Sequence, residues 1–281
     1  MAAALAVLLG VGAAAACAPG DSAQDTQTVV VTEAAPPPKP LHIVFPEGFT
    51  RRQMAARITA VNEIARKQRH VNPKLRAKQY LALTRRNKLP GKFARDGRPR
   101  QLEGFLFPAT YDFLGNTTTK ELVRKQLEAF DNAWSGVDLK YAKSKNLTPY
   151  DVLTIASMIE KEAVVPAERK LIAAVIYNRL HLRMPLQIDA TIRYGLDVPG
   201  TEPLHESELE SDNPYNTRIR PGLPPTPIAN PGLASIEAAA HPAKVNYLYF
   251  VRKPDKRHHY FTASEADFFR KACEYGFGCG G

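Results

Sequence analysis

The first forty residues form two segments that are unsuited to a packed globular core. Residues 1–18 form an apolar segment in which residues 2–16 are all apolar or glycine. Residues 19–40 combine polar side chains with a proline-rich run at 36–40. Because proline fixes φ and removes a backbone donor, this run predicts a semi-rigid extended linker. The folded body of the 281-residue chain must therefore come from the residues that follow.

The apolar segment 1–18 has the length of a signal-peptide core and is short for a membrane span of about 20 residues. Three interpretations are open: a membrane anchor whose start lies further upstream, a cleaved signal peptide, or a lipoprotein signal with Cys17 after small residues. In each of them we expect the folded body to lie outside the cytoplasm. The linker 19–40 would hold that body away from a membrane.

Charge is distributed unevenly along the rest of the chain. Residues 50–100 carry sixteen basic and two acidic side chains, whereas residues 102–281 carry 21 basic and 22 acidic ones. A basic segment suits an anionic partner, such as lipid headgroups or an anionic polymer, and it is equally compatible with a solvated face. Nucleic acid is disfavoured as a partner, because no zinc-ligand spacing, aromatic RNA-binding motif or glycine-rich phosphate loop accompanies the basic residues.

Residues 41–100 are predicted to form a small basic module. A strand candidate and a tight turn at 41–48 precede Thr50, which with Gln53 forms a capping box at the start of a helix. Asn72-Pro73 predicts the start of a second helix, with the asparagine as cap and the proline at the first position. A strand followed by two short helices is compatible with a LysM-type module that binds glycan chains.

The clearest helix of the sequence carries two carboxyl groups near its end. Thr148-Pro149 predicts its start, and an apolar face extends towards Ala163. At 100° per residue, Glu160 lies at the edge of the buried arc, whereas Lys161 points to water. A carboxyl group in that position loses hydration, which raises its pKa and suits it to act as a general acid. The alternative is a solvated carboxylate paired with a lysine.

This helix and the segments after it resemble a known family. Residues 156–163 (ASMIEKEA) resemble the signature helix of the endolytic murein transglycosylases (the MltG, or YceG-like, family). The resemblance covers roughly residues 41–272 and rests on the order of the pieces. The later pieces are VIYNRL at 175–180, MPLQIDAT at 184–191, SDNPYNT at 211–217, GLPPTPIANPG at 222–232, AAAHPA at 238–243 and YLYFV at 247–251.

The resemblance implies a membrane-anchored enzyme of the bacterial cell envelope that cuts nascent peptidoglycan strands internally. The implied fold is α+β, with a LysM-like module at 41–100 followed by a mixed α/β catalytic domain at 101–272. A glycine- and cysteine-containing tail, 273–281, matches nothing in the family. The implied partners are glycan strands, the membrane and cell-wall synthesis enzymes such as penicillin-binding proteins. No metal or other cofactor is expected.

The family's catalytic glutamate falls on Glu160. A lytic transglycosylase needs only one carboxyl group, because the 6-hydroxyl of the sugar attacks its own anomeric carbon and leaves a 1,6-anhydro end. Neutral polar side chains and one carboxylate are expected to orient the sugars, each with a structural role as the alternative: Asn178, Gln187, Asp189, Tyr215, Asn216 and Thr217. Two other functions remain open: a hydrolase that pairs Glu160 with Asp189 or Glu162, and a non-catalytic glycan-binding scaffold.

Two smaller features have no place in this interpretation. His258-His259 suggests a metal ligand pair, but no third ligand has a readable spacing, so a surface turn is favoured. Cys273 and Cys279 could pair outside the cytoplasm.

Overall fold

The computed structural model describes residues 39–85, 87–90, 93 and 100–277. The apolar segment 1–18, the linker up to residue 38 and the end of the tail, with Cys279, lie outside the described residues. Within the described ranges no helix is both long and apolar enough to cross a membrane. The described residues from Pro40 onward form one compact unit.

Short strands and helices make up this unit. Its described strands are β1 (Leu41–Val44), β2 (Thr110–Phe113), β3 (Tyr249–Arg252) and β4 (His259–Thr262). Its described helices are α1 (Arg51–Arg69), α2 (Ala77–Arg85), α3 (Thr119–Ser135), α4 (Lys140–Ser144), α5 (Pro149–Glu162), α6 (Arg169–His181), α7 (Asp189–Leu196), α8 (Glu206–Leu209), α9 (Leu233–Ala240) and α10 (Glu265–Glu274). The mixed α/β character predicted from the sequence is therefore confirmed.

The first sheet joins residues on both sides of position 100. β1 pairs antiparallel with β2, so that Leu41 lies opposite Phe113 and Val44 opposite Thr110. In chain order α1 and α2 lie between the two strands. The basic segment thus belongs to a strand–helix–helix–strand unit that extends from residue 41 to residue 113.

This strand–helix–helix–strand unit shares its hydrophobic core with the described residues that follow it in sequence. Phe45, Met54 and Tyr80 are buried in the same apolar cluster as Leu153 and Ile159 of α5. Residues that are far apart in sequence therefore exclude water together, which fixes the turn after β1 against the end of α5.

Two of the predicted helix starts agree with the structure. The Thr50 side chain accepts from Gln53 N, and the Gln53 side chain accepts from Thr50 N, which completes the predicted capping box of α1. Thr148 and Asp151 form the same arrangement at the start of α5. Both capping boxes are made by contacts within one helical turn, so they could be predicted from the local sequence.

The predicted helix start at Asn72 is wrong, because α2 begins at Ala77. Tertiary contacts bind the backbone of the intervening residues instead. Lys74 N donates to Gly115 O at 2.9 Å, and Arg76 N donates to the Thr119 hydroxyl at 2.9 Å. These bonds replace the donations to residue i−4 that a helix would require.

The second sheet and helix α5 belong to the part of the described structure that follows β2. β3 and β4 make an antiparallel hairpin, in which Tyr249 lies opposite Thr262. Helix α5 packs against α6, α7 and α9. All eight residues from Val152 to Ile159 are buried, so the helix first reaches the surface again at Glu160.

Candidate active site

Glu160 lies where the end of α5 meets the start of α9 and the turn after β1. Its Oε2 accepts a hydrogen bond of 3.0 Å from Gly232 N, and Gly232 is the N-cap residue of α9. On the other side, a side chain built at Gly48 would place its Cβ 3.5 Å from Glu160 Cγ. The glutamate is partly exposed. A buried helix therefore holds this carboxyl group at a surface formed by three separate segments.

A second carboxyl group, which the sequence analysis did not select, lies beside Glu160. Glu47 is exposed in the turn after β1, and its Oε1 lies 1.8 Å from the point that a Cβ on Gly232 would occupy. Although the residue as a whole is exposed, its carboxyl group is partly desolvated by its neighbours. This desolvation and the negative charge of Glu160 raise the pKa of Glu47, while Arg169 acts in the opposite direction. The Pro46-Glu47-Gly48 turn was visible in the sequence, but its approach to Glu160 depends on tertiary packing.

A cavity of about 660 Å³ opens on the other side of the end of α5. The first turn of α1, the start of α7 and the β3–β4 hairpin border it. Charged side chains of both signs line this cavity: Arg51, Arg52, Glu103, Lys161, Glu162, Asp189, Arg193, Asp197 and Arg252. Among the described residues that line it, Glu162 is present and Glu160 is absent.

A raised pKa on α5 is found at Glu162, a residue for which the sequence analysis did not predict one. Burial first, and then the negative charge of Asp189, raise the pKa of Glu162 to about 7, against an ordinary 4.5. Arg252 and Lys161 oppose this shift. In this cavity the Glu162 carboxyl group therefore has a pKa near neutrality and lies close enough to Asp189 to be influenced by its charge.

The structure brings the two predicted glycan-binding segments together. Gln187 N donates to Thr217 O at 3.0 Å. Gln187 is exposed, and its Oε1 accepts from Arg179 Nη1 at 3.0 Å. Asp189 lines the cavity, and its Oδ1 accepts from Arg218 Nε at 2.9 Å and Nη2 at 2.6 Å. Gln187 is exposed and Asp189 is half-buried, so both side chains reach the surface although arginines bind them.

Asn216 and Thr217 point into the protein. The Asn216 amide donates to the carbonyls of Leu209 and Ser211 at 2.8 Å each, and the residue is fully buried. The Thr217 hydroxyl accepts from Ile188 N at 3.1 Å and is also buried. These groups hold backbone together.

Tyr215 and Asn178 have different surroundings. The Tyr215 hydroxyl is 2.8 Å from Thr226 Oγ1, and its half-buried ring packs edge-on against Tyr194. The Asn178 amide donates to the carbonyls of Val245 and Tyr247 at 2.9 Å each. Asn178 lines a separate cavity of about 580 Å³ and is not among the described residues that line the first one.

A buried polar network connects the two sides of the site. Glu103 is 1% exposed, and burial raises its pKa to about 7. It accepts from Arg51 N at 3.0 Å, from the Tyr194 hydroxyl at 3.0 Å and from Asn230 Nδ2 at 2.8 Å. Asn230 N and Phe49 O are also bonded, at 3.0 Å. The network fixes the turn after β1 to the loop before α9, and sequence pattern gave no signal for it.

The histidine pair is divided between surface and core. His258 is exposed, and its Nδ1 lies 2.7 Å from an Asp255 carboxylate oxygen. His259 is buried, with its N donating to Glu168 Oε1 at 2.9 Å and its Nδ1 2.7 Å from Glu168 Oε2. The predicted surface turn is therefore wrong for His259, because a buried carboxylate from the 3₁₀ turn Pro166–Glu168 binds it. Cys273 takes part in a disulfide.

Carboxyl groups at an open polar surface, with pKa values shifted by burial and by each other, are an arrangement that many enzymes use to cleave glycosidic bonds. The sequence model of the YceG-like family matches residues 17–274 of this chain. The chain belongs to the YceG-like family.

Several known proteins are similar to this chain. A Bacillus subtilis protein named endolytic murein transglycosylase is 44% identical over 152 residues, which cover 54% of this chain and 42% of that protein. A Streptococcus pneumoniae protein of the same name is 39% identical over 185 residues, which cover 64% of this chain and 33% of that protein. The chain thus spans less than half the length of these curated relatives.

A solved structure has the same fold. A crystal structure of a yceG-like protein from Listeria monocytogenes superposes with a TM-score of 0.63 at 31% identity. The superposition covers 82% of this chain and 75% of that one.

Proposed function

We propose that this chain is an endolytic lytic transglycosylase of peptidoglycan, with Glu160 as its general acid/base. The observation that carries the proposal is the position of Glu160 at the exposed end of an otherwise buried helix, fixed by Gly232 N at 3.0 Å. The names of the relatives support the same activity. The proposed bond is the one between MurNAc and GlcNAc in nascent strands, and cutting it would set or end strand length.

In the proposed reaction Glu160 first donates a proton and then accepts one. The donated proton goes to the leaving glycosidic oxygen as the bond from that oxygen to the anomeric carbon breaks. The 6-hydroxyl of the same sugar then bonds to that carbon and gives up its proton, which leaves a 1,6-anhydroMurNAc end. The attack is intramolecular, so a correctly held sugar reacts faster with itself than with water.

The remaining site residues divide into two groups under this proposal. Gln187, Asp189 and Tyr215 are proposed to contact glycan, because the first two present polar groups at the surface and Tyr215 packs against cavity-lining Tyr194. The polar groups of Asn178, Asn216 and Thr217 are already bonded to other parts of the protein, so we propose that these residues support the fold around the site.

A hydrolase is the second candidate, and one observation favours it. The pKa of Glu162 is raised to about 7 next to the Asp189 carboxylate, and both line the cavity. Two carboxyl groups with separated proton affinities can protonate a leaving group and activate water. That reaction would give reducing ends. A scaffold that only binds glycan would give no new ends.

The rest of the chain is proposed to localise the enzyme. We propose that residues 41–100 form a LysM-like glycan-binding module, whose sheet is completed by β2, which ends at residue 113. Two features support this: the β1–α1–α2–β2 arrangement and the sixteen basic residues of 50–100. We propose that residues 1–18 anchor the chain in the bacterial cell membrane, with the linker 19–40 and the folded body outside the cytoplasm. The catalytic domain, 101–272, would then contribute its strand β2 to the sheet of the module. Penicillin-binding proteins are proposed partners, whereas nucleic acid is not.

Digestion of long uncrosslinked glycan strands, followed by mass spectrometry of the new ends, tests the proposal. Predominantly 1,6-anhydro ends from internal cuts are expected. Predominantly reducing ends, which are heavier by one water, would refute the transglycosylase and support the hydrolase. Intact strands after incubation with folded protein that binds glycan would refute both enzymes and support the scaffold.

A further inference from the structure

Glu47 and Glu160 approach the same glycine from two different segments of the fold. Glu160 Oε2 lies 3.0 Å from Gly232 N, and Glu47 Oε1 lies 1.8 Å from the Cβ position of that residue. With ordinary backbone bond lengths, these two oxygens are at most about 8 Å apart. The two oxygens are therefore no further apart than the upper limit of roughly 9.5 Å at which two carboxyl groups still flank a glycosidic bond.

The two carboxyl groups have unlike surroundings. Glu160 accepts a backbone N–H at the start of α9, where the helix dipole stabilises negative charge. Glu47 has no such bond among the described contacts, and burial together with the charge of Glu160 raises its pKa, against the opposing effect of Arg169. Unlike surroundings of this kind are what separates the acid from the base in a pair of carboxyl groups.

Resting on the proposed transglycosylase activity, we propose that Glu47 is a second catalytic residue. It takes over the acid step assigned above to Glu160 and protonates the leaving glycosidic oxygen, while Glu160 keeps the base step. The bond from the anomeric carbon to the leaving oxygen breaks, and that oxygen takes the proton of Glu47. The bond from the anomeric carbon to O6 forms, and Glu160 takes the proton of the 6-hydroxyl. One proton has then moved from Glu47 to Glu160, and its return restores the enzyme.

The position of Glu47 fits this role. Its side chain is exposed in the turn after β1, so a glycan strand that reaches Glu160 also meets Glu47. Lys161 Nζ donates to Gly48 O at 3.4 Å, and Asn230 O accepts from Gly48 N at 2.9 Å, so the turn is bound to both α5 and the loop before α9. The carboxyl group is thus carried by fixed backbone.

The test compares leaving groups that do and do not need an acid. The proteins are wild type, Glu47→Gln, Glu160→Gln and, as a control on the exposed face of α1, Glu63→Gln. The substrates are glycan strands and a GlcNAc–MurNAc disaccharide that carries 2,4-dinitrophenolate at the β-anomeric carbon. Dinitrophenolate leaves without a proton, so only loss of the acid is rescued on the second substrate.

We expect Glu47→Gln to cut strands about 10²–10⁴-fold more slowly than wild type and to cleave the activated substrate within about tenfold of it. We expect Glu160→Gln to cleave neither substrate, and we expect Glu63→Gln to cleave both at the wild-type rate. Two results for folded Glu47→Gln would overturn the role of Glu47 and leave the proposed function standing. One is cleavage of strands at the wild-type rate, and the other is an equal loss of rate on both substrates. Wild-type protein that cuts neither substrate would overturn both.

Discussion

Replacing Asn230 by alanine should destabilise the fold strongly, because this side chain joins three segments at the site. It is fully buried. Its Oδ1 accepts from Gly104 N and Leu106 N at 2.9 Å each, and its Nδ2 donates to Phe49 O at 2.9 Å and Glu103 Oε1 at 2.8 Å. Asn230→Ala therefore removes four hydrogen bonds. The buried Gly104 N and Leu106 N lose this acceptor, whereas Phe49 O keeps its bond from the backbone N of residue 230 and Glu103 keeps its other donors.

The expected loss follows from the cost of such groups. Each net hydrogen bond contributes about 0.5–1.5 kcal/mol, and an unsatisfied buried group costs about 1–3 kcal/mol. Water that enters the vacated space restores part of this. We therefore expect Asn230→Ala to lower the free energy of unfolding by about 3–5 kcal/mol.

Urea unfolding followed by circular dichroism measures this loss. The matched control is Asn132→Ala on the exposed face of α3, for which we expect a change within about 0.5 kcal/mol. A loss below about 1 kcal/mol for Asn230→Ala, with an unchanged slope against urea, would refute the conclusion that this side chain holds the site together.

Three further predictions concern pH, a close approach and a buried hydroxyl. Because burial raises the pKa of Glu103 from 4.5 to about 7, its stabilising contribution is complete below pH 4.5 and is lost as pH rises through 7. The free energy of unfolding of wild type should fall between pH 5 and 8. A share on the order of 3 kcal/mol should disappear in Glu103→Gln and the share from Glu162 should remain; a flat wild-type profile would contradict this. Gly232→Ala, at a φ of −76° that tolerates a side chain, should displace the Glu47 carboxylate, so strand cleavage should fall while the melting temperature changes by only a few degrees. Unchanged cleavage would count against the pairing. Thr217→Val should lower the free energy of unfolding by about 1–3 kcal/mol, since Ile188 N loses its acceptor, and full stability with lost activity would instead indicate direct glycan contact.

Local signals predicted the element that carries the site. Thr148, Pro149 and Asp151 mark the start of α5 through contacts within one turn, so the helix and the place of Glu160 on it could be inferred from sequence. The start predicted at Asn72 failed because Gly115 and Thr119, more than forty residues away, bind the backbone of 72–76.

Long-range pairing explains what the sequence could not show. Glu47 meets Glu160 only because β1 is fixed by β2 and by the core, and no periodicity reports that approach. The same holds for Asn216, whose sequence context suggests a binding loop while its amide is bonded to two carbonyls in the interior. A sequence can thus nominate polar residues, but their remaining bonding capacity depends on the folded contacts.

The comparison of Glu160→Gln with Glu162→Gln on purified glycan strands tests the central claim most directly. The two carboxyl groups lie on the same helix turn and face different sides of it, so the pair controls for charge and local structure. We predict that folded Glu160→Gln forms no new 1,6-anhydro ends, whereas Glu162→Gln retains cleavage within about tenfold of wild type. Cleavage by Glu160→Gln at near the wild-type rate, or loss confined to Glu162→Gln, would contradict the account.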